Sequence, residues 1–192
     1  MINWHIETNP THFEVRNTYA EYNVVLWEHY KELLVDYVDQ VRLGKVISLG
    51  RSMVVYDRLP RELRNRAWRA LPNVFIDGFE PYVQSRVIDE VPLPTELDRE
   101  CFMWWDDCAY YPSSPTVEPI DNESFLAVCR RCLSSSNIAL QQSALHGLGH
   151  SIGITRGLKE SALLIDEYLK ANPNLPNALQ KYAKQARKGR VQ

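Results

Sequence analysis

The chain has 192 residues, enough to bury a sizeable core, and is most simply one domain. Hydrophobic residues make up 45% and charged residues 24%, proportions that are ordinary for a soluble globular protein. The net charge of -2 argues against a dedicated nucleic-acid binder, which would usually be clearly basic.

The N-terminal residues and the length of the apolar runs indicate where in the cell the protein is expected. The first residues, Met1 to Glu7, lack a basic segment followed by an apolar one, so we expect no signal peptide. No apolar run approaches the ~20 residues that a membrane-spanning helix needs. We therefore expect a cytoplasmic protein with no membrane partner. Its cysteines should then be reduced thiols or metal ligands rather than disulfides; they are Cys101, Cys108, Cys129 and Cys132.

The N-terminal region, residues 1–90, has helical periodicity without a recognisable repeat. Apolar spacings of three and four predict helices over Thr11 to Leu43, Val46 to Tyr56, Arg58 to about Ala70, and Val74 to Asp89. The third should end before Leu71-Pro72, because a residue that precedes proline disfavours the helical conformation. Six arginines between Arg51 and Arg69 make this region locally basic, and we interpret them as a solvated helix face.

The helical pattern is stronger in the C-terminal region, residues 95–192, which follows a Val91-Pro-Leu-Pro94 linker. The predicted helices are Thr95 to Trp105, Glu123 to Leu133, Ile138 to Ile152, Leu158 to Leu169, and Pro176 to Lys188. Thr95 caps the first, with Asp98 in the capping-box position. Asn122 caps the second and Asn137 the third. A proline-punctuated loop, Cys108 to Asp121, separates the first two. With no convincing strand pair and short connections, the fold class is all-α, with stacked antiparallel helical hairpins and an irregular helical N-terminal region.

One segment, Gln141 to Gly153, carries two histidines, His146 and His150, one helical turn apart. Cys129 and Cys132 precede them, so that the sequence reads C-x2-C, thirteen residues, then H-x3-H. This spacing formally fits a DNA-binding zinc finger. Because both cysteines lie in a predicted helix rather than a β-hairpin, we exclude that class.

Three interpretations of the segment remain. In the first, Cys129, Cys132, His146 and His150 form a zinc site between consecutive helices, since i, i+3 and i, i+4 pairs each face one way. In the second, the two histidines bind a metal together with a carboxylate elsewhere, such as Asp106 or Asp107, although the glutamate of an HExxH motif is missing.

The third interpretation is structural. Gly147 and Gly149 each disfavour a helix by roughly 1 kcal/mol relative to alanine, so we expect a neighbouring helix backbone to approach closely there. The apolar stripe would consist of Ile138, Leu145, Leu148 and Ile152. His146 and His150 would then flank this stripe, forming hydrogen bonds at its edge or lining a groove.

The run Ser143 to Ile152, SALHGLGHSI, resembles the inner helix of HEAT-like repeats, a similarity that covers about Asn122 to Gln192. The chain also resembles uncharacterised bacterial proteins that combine an ALHGLGH helix with an upstream MWWD segment, which Met103 to Asp106 matches. The HEAT-like resemblance implies a scaffold whose concave face binds a protein or another polymer. It implies neither catalysis nor a cofactor.

Two functions therefore stand as expectations. The first is a non-catalytic bacterial interaction module, for instance an inhibitory or toxin-neutralising partner of another protein. Its binding groove would be lined by Trp104, Trp105, Asp106, His146 and His150. The alternative is a metal-binding protein or metal-dependent hydrolase that uses His146 and His150, with zinc as the cofactor. The sequence contains no recognisable nucleophile motif, nucleotide loop or acid/base carboxylate pair.

Overall fold

A computed structural model describes residues 61–107, 119–153 and 158–191, together with Glu28. Every regular element in these ranges is helical, which confirms an all-α fold for this part of the chain. The α-helices are α1 (Arg61–Asn73), α2 (Glu96–Asp107), α3 (Pro119–Leu133), α4 (Ile138–Gly153), α5 (Lys159–Ala171) and α6 (Asn177–Ala186). The helices predicted within residues 11–56, and residues 108–118 of the predicted loop, lie outside the described residues.

Helix α1 continues past the end that the sequence predicts. Pro72 lies inside the helix, which extends to Asn73 rather than stopping near Ala70. A π-helical segment, Val74–Phe79, follows directly. Such irregular turns are a common way for helices to accommodate a proline. They compensate for its missing backbone N–H and avoid the clash of its ring with the preceding turn.

The predicted helix over Val74 to Asp89 is wrong in most of its length. After the π-helical segment the chain forms turns, and only a short 3-10 helix, Ile88–Glu90, follows. Pro81 explains the interruption, since it cannot donate a backbone hydrogen bond in a helix interior.

One arginine of the basic region departs from the predicted solvated face. Arg61 and Arg69 are exposed, as expected, but Arg64 is buried. Its Nε lies 3.1 Å from Oδ1 of Asp121, which is also buried. The same carboxylate oxygen accepts a hydrogen bond from Nε1 of Trp68 at 3.1 Å, so this polar group links α1 to α3 inside the core.

Two of the three predicted helix caps are confirmed by side-chain hydrogen bonds, whereas Asn122 lies inside α3 and does not cap it. Thr95 Oγ1 accepts the backbone N–H of Asp98 at 3.1 Å, and Asp98 Oδ2 accepts the backbone N–H of Thr95 at 2.7 Å, which together form a capping box for α2. At α4, Asn137 Oδ1 accepts the backbone N–H of Ala139 at 2.9 Å.

The remaining boundaries shift by a few residues. Helix α3 begins at Pro119 instead of Glu123, with the proline in the first turn, where its missing N–H is harmless. Helix α5 ends two residues later than predicted, at Ala171, and α6 ends at Ala186, short of Lys188. No helix in the described ranges is both long and apolar enough to cross a membrane.

Helix α4 is the central element of the described fold. It packs against α2, α3, α5 and α6, and every residue from Gln142 to Gly149 is buried. This burial on all sides explains why the helix lacks a marked polar face. The predicted apolar stripe lies on this helix. Leu145 and Leu148 are fully buried, and Ile138 and Ile152 are partly buried.

Small residues on α4 bring α2 close. The hydroxyl of Ser143 donates to the backbone carbonyl of Cys101 at 2.5 Å. One turn later, a Cβ added to Gly147 would lie 2.7 Å from the indole of Trp105. The close approach that we expected at Gly147 therefore exists, but it is made by an aromatic ring rather than a helix backbone.

Gly149 matches the expectation of a neighbouring backbone more closely. A Cβ placed there would lie 3.2 Å from Cα of Ala186 on α6, and it would also collide with the Val191 side chain. The two glycines thus face different helices, and both α2 and α6 pack tightly on the half of α4 that carries the histidines.

Candidate metal centre

Three side chains of metal-ligating type converge where α2 meets α4. Nε2 of His146 lies 3.1 Å from Oδ2 of Asp106, and Nε2 of His150 lies 2.7 Å from Oδ1 of the same residue. The two Nε2 atoms are 2.9 Å apart. In the described ranges this is the one group of three or more histidine, cysteine or acidic side chains close enough to share a metal ion.

Helix periodicity explains the arrangement. His146 and His150 stand at i and i+4 on α4, so their rings lie on the same side of the helix with centroids 4.6 Å apart. Asp106 stands four residues after Phe102 on α2, and the Phe102 ring packs against His146 with centroids 4.6 Å apart. The close contact between Trp105 and Gly147 fixes the position of the α2 turn that carries the Asp106 carboxylate.

With a charged Asp106 carboxylate, no placement of protons on the two rings makes all three contacts favourable. If both Nε2 atoms carry protons and donate to Asp106, the two N–H groups lie side by side at 2.9 Å without a hydrogen bond between them. If one Nε2 instead accepts from the other, its lone pair faces a carboxylate oxygen. A divalent cation removes the conflict, because it accepts lone pairs from both nitrogens and from the carboxylate.

The buried histidine has a second partner. Nδ1 of His146 lies 2.6 Å from the hydroxyl of Tyr182 on α6. When a histidine ligates through Nε2, its Nδ1 carries the proton and donates to an outer partner, which fixes both the tautomer and the ring orientation. Tyr182 is placed for this role. Burial raises the pKa of its hydroxyl, as do the nearby carboxylates of Asp106 and Asp89, so it remains protonated.

Burial also determines the charge of His146. It lowers the pKa of the imidazole from 6.5 to about 4, although Asp106 opposes the effect, and the ring is neutral at neutral pH. Because this pKa is lower in the folded than in the unfolded chain, the stability contribution is complete above about pH 6.5 and is lost as the pH falls towards 4.

We therefore expect the metal-free protein to lose about 3 kcal/mol of its free energy of unfolding between pH 6.5 and 4 because of His146. Urea unfolding in the presence of a chelator measures this loss. The H146Q variant should show a flatter dependence over the same range, and an equally steep dependence in that variant would contradict the assignment.

The two cysteines of the sequence motif lie elsewhere. Cys129 and Cys132 on α3 are fully buried in the hydrophobic core, and neither belongs to the cluster of Asp106, His146 and His150. Cys101 is buried with them. The described structure thus joins the two histidines to a carboxylate and not to the thiols, as in the second interpretation of the segment. The side chain of Asp107, the other carboxylate considered, lies outside the described residues.

We expect these three buried thiols to be inert in the folded protein. Burial raises the pKa values of Cys101 and Cys132, which removes the reactive thiolate. In a C108S background, which removes the one cysteine outside the described ranges, a disulfide reagent should modify no thiol before unfolding and three after it. Rapid modification of a thiol in the native protein would contradict this account.

The tryptophans assigned to a binding groove are core residues. Trp104 is completely buried, and its ring packs edge-on against Phe75 and Phe79. Trp105 is also buried and stacks on Phe75. His146 is buried as well, so of the five predicted groove residues only Asp106 and His150 are accessible. This placement corrects the predicted surface.

Sequence reasoning missed Tyr182 and Phe102 as parts of the site. Nothing in the sequence neighbourhood of Tyr182 distinguishes it from an ordinary core tyrosine. Phe102 carries a weak signal, since it precedes Asp106 by four residues in a helix. Only the packing of α6 on α4 reveals the tyrosine–histidine contact.

Comparison with known proteins finds no match for this chain among family models, curated proteins or solved structures.

Proposed function

We propose that this protein binds one divalent transition-metal ion through Nε2 of His146, Nε2 of His150 and the carboxylate of Asp106. The observation that carries the proposal is the mutual approach of the three groups, with Nε2 atoms 2.9 Å apart and each within 3.1 Å of a carboxylate oxygen. With a charged carboxylate, hydrogen bonds alone do not satisfy all three contacts, whereas a cation does.

The two imidazole nitrogens and the carboxylate oxygen limit which metals the site would bind. Two imidazoles suit zinc, iron, cobalt and nickel, whereas magnesium and calcium prefer sites made of oxygen atoms. Two histidines and one carboxylate are found in hydrolytic zinc sites and in non-haem iron(II) sites. A metal-dependent enzyme, with zinc or iron(II) as the cofactor, is therefore the functional class that we favour.

The experiment is a metal titration of protein purified without a metal-affinity tag and stripped with a chelator. Zinc(II) and cobalt(II) should each bind with a stoichiometry of one per chain and raise the melting temperature, because a ligand that binds only the native state stabilises it. Magnesium serves as the negative control. Absence of stoichiometric zinc and cobalt binding would refute the proposal.

Replacing a core thiol separates this site from a Cys2His2 site. We expect C132A, which removes a buried cysteine of α3, to keep the stoichiometry and affinity of the parent protein for zinc. A site that used Cys129 and Cys132 would lose its zinc in this variant. Circular dichroism and a melting curve verify that the variant is folded before the titration is interpreted.

The Tyr182 hydroxyl is expected to support metal binding from the outer shell. In Y182F the Nδ1–H of His146 loses its acceptor, and such changes typically weaken metal binding by about 10–100-fold. The matched control is Y168F, which removes a different hydroxyl, one that donates to Gln141 at 2.8 Å. A Y182F protein with unchanged zinc affinity would show that Tyr182 does not orient His146.

The interaction-module function stays a prediction with less support. HEAT-like stacking would suit the helical content, but Trp104, Trp105 and His146 are buried and cannot contact a partner without rearrangement. The large apolar side chains that are exposed in the described ranges do not favour one docking face over another; they are Tyr82, Leu93, Met103 and Leu163. We therefore base the proposal on the metal centre.

A further inference from the structure

We propose that the metal ion keeps open coordination positions on its solvent side and binds a small anion there, as reactive metal sites do and structural ones do not. This inference rests on the proposed metal site and specifies how that site is used. Three observations carry it: the number of ligands, the spacing of their donor atoms, and the difference in exposure between the two histidines.

The part of the chain that the structure describes supplies three ligands. In the described ranges no fourth histidine, cysteine, aspartate or glutamate belongs to the cluster. Structural zinc sites are closed by four protein ligands, whereas sites that react with a substrate hold three and leave the remaining position to water or to that substrate.

The spacing of the two imidazole donor atoms favours neighbouring positions of an octahedron over those of a tetrahedron. With metal–ligand bonds of about 2.1 Å, ligands at right angles lie about 3.0 Å apart and tetrahedral ligands about 3.4 Å apart. The Nε2 atoms of His146 and His150 are 2.9 Å apart, which is close to the right-angle value. Each lies within 3.1 Å of a different oxygen of the Asp106 carboxylate. Three ligands on one octahedral face leave the opposite face free.

The exposure of the ligands shows where the free face points. The His146 side chain is 1% exposed and is enclosed by Phe102 and Tyr182. The side chains of His150 and Asp106 are 42% and 27% exposed. The protein therefore holds the metal from its interior side, and the open positions face solvent, where a small anion with an oxygen or nitrogen donor can reach the metal.

The test uses the full-length protein loaded with one equivalent of cobalt(II), whose visible spectrum reports its coordination, and azide as the probe anion. We expect a saturable change in the cobalt bands on adding azide, and no change with perchlorate at the same ionic strength. C132A serves as the matched control variant and should respond like the parent protein.

The outcomes separate the two proposals. Failure of cobalt(II) to bind would refute the metal site itself. Stoichiometric cobalt binding with a spectrum that azide leaves unchanged would overturn the open-position inference while leaving the metal site standing. An equal response to azide and perchlorate would also overturn it, because it would indicate an effect of ionic strength rather than ligation.

Discussion

The largest loss of metal affinity is expected from the variants D106N and H150A, each of which removes one of the three proposed ligands. Loss of an outer-shell partner alone weakens metal sites by about 10–100-fold, so loss of a direct ligand should exceed about 100-fold. Both residues are partly exposed, and neither substitution opens a cavity in the core. Calorimetric titration with zinc(II) provides the measurement.

A matched control exists on the surface of α5. Asp166 is exposed and pairs with Arg187 at 2.8 Å, an ion pair of the kind that contributes little to stability. D166N makes the same chemical change as D106N at a distant position, and its zinc affinity should equal that of the parent protein. If D106N also retained full affinity, the carboxylate would not be a ligand.

Among the substitutions considered, G147A is expected to cause the largest loss of stability. The new methyl group would lie 2.7 Å from the Trp105 indole, which cannot retreat because it stacks on Phe75 and meets Phe125 edge-on. Overpacking of this kind costs typically 1–3 kcal/mol, and the better helix propensity of alanine offsets about 1 kcal/mol. At this buried position the steric effect should dominate, with a net loss of about 2 kcal/mol in the free energy of unfolding.

The same substitution should weaken the metal centre, because Trp105 immediately precedes Asp106. A shift of the indole moves the turn of α2 that carries the carboxylate away from the histidines. A double-mutant cycle with W105F tests the cause, since a smaller ring should reduce the penalty of G147A in both unfolding and zinc titrations. Additive effects of the two substitutions would contradict a direct clash.

Helix periodicity was sufficient to predict part of the site. The i, i+4 spacing placed His146 and His150 on one side of α4, and Asp106 was among the two carboxylates considered as their partner. Local signals also predicted the caps at Thr95 and Asn137, because a capping residue acts on backbone groups within its own first turn.

The rest depends on contacts between residues far apart in the chain. Cys129 and Cys132 have metal-ligand spacing, but the orientation of α3 buries them in the core. Gly147 indicated a close approach without indicating that an indole makes it. Tyr182 reaches His146 across 36 positions, through packing that no local pattern encodes. Spacing therefore predicted candidate ligands, and tertiary packing selected among them.

X-ray absorption spectroscopy of the one-to-one zinc complex tests the central claim most directly, because it identifies the atoms bound to the metal. We predict a first shell of nitrogen and oxygen atoms at about 2.0–2.2 Å, with the outer scattering of two imidazoles and no sulfur. A sulfur shell at about 2.3 Å, or a protein that forms no stoichiometric zinc complex, would contradict the assignment of Asp106, His146 and His150 as the ligands.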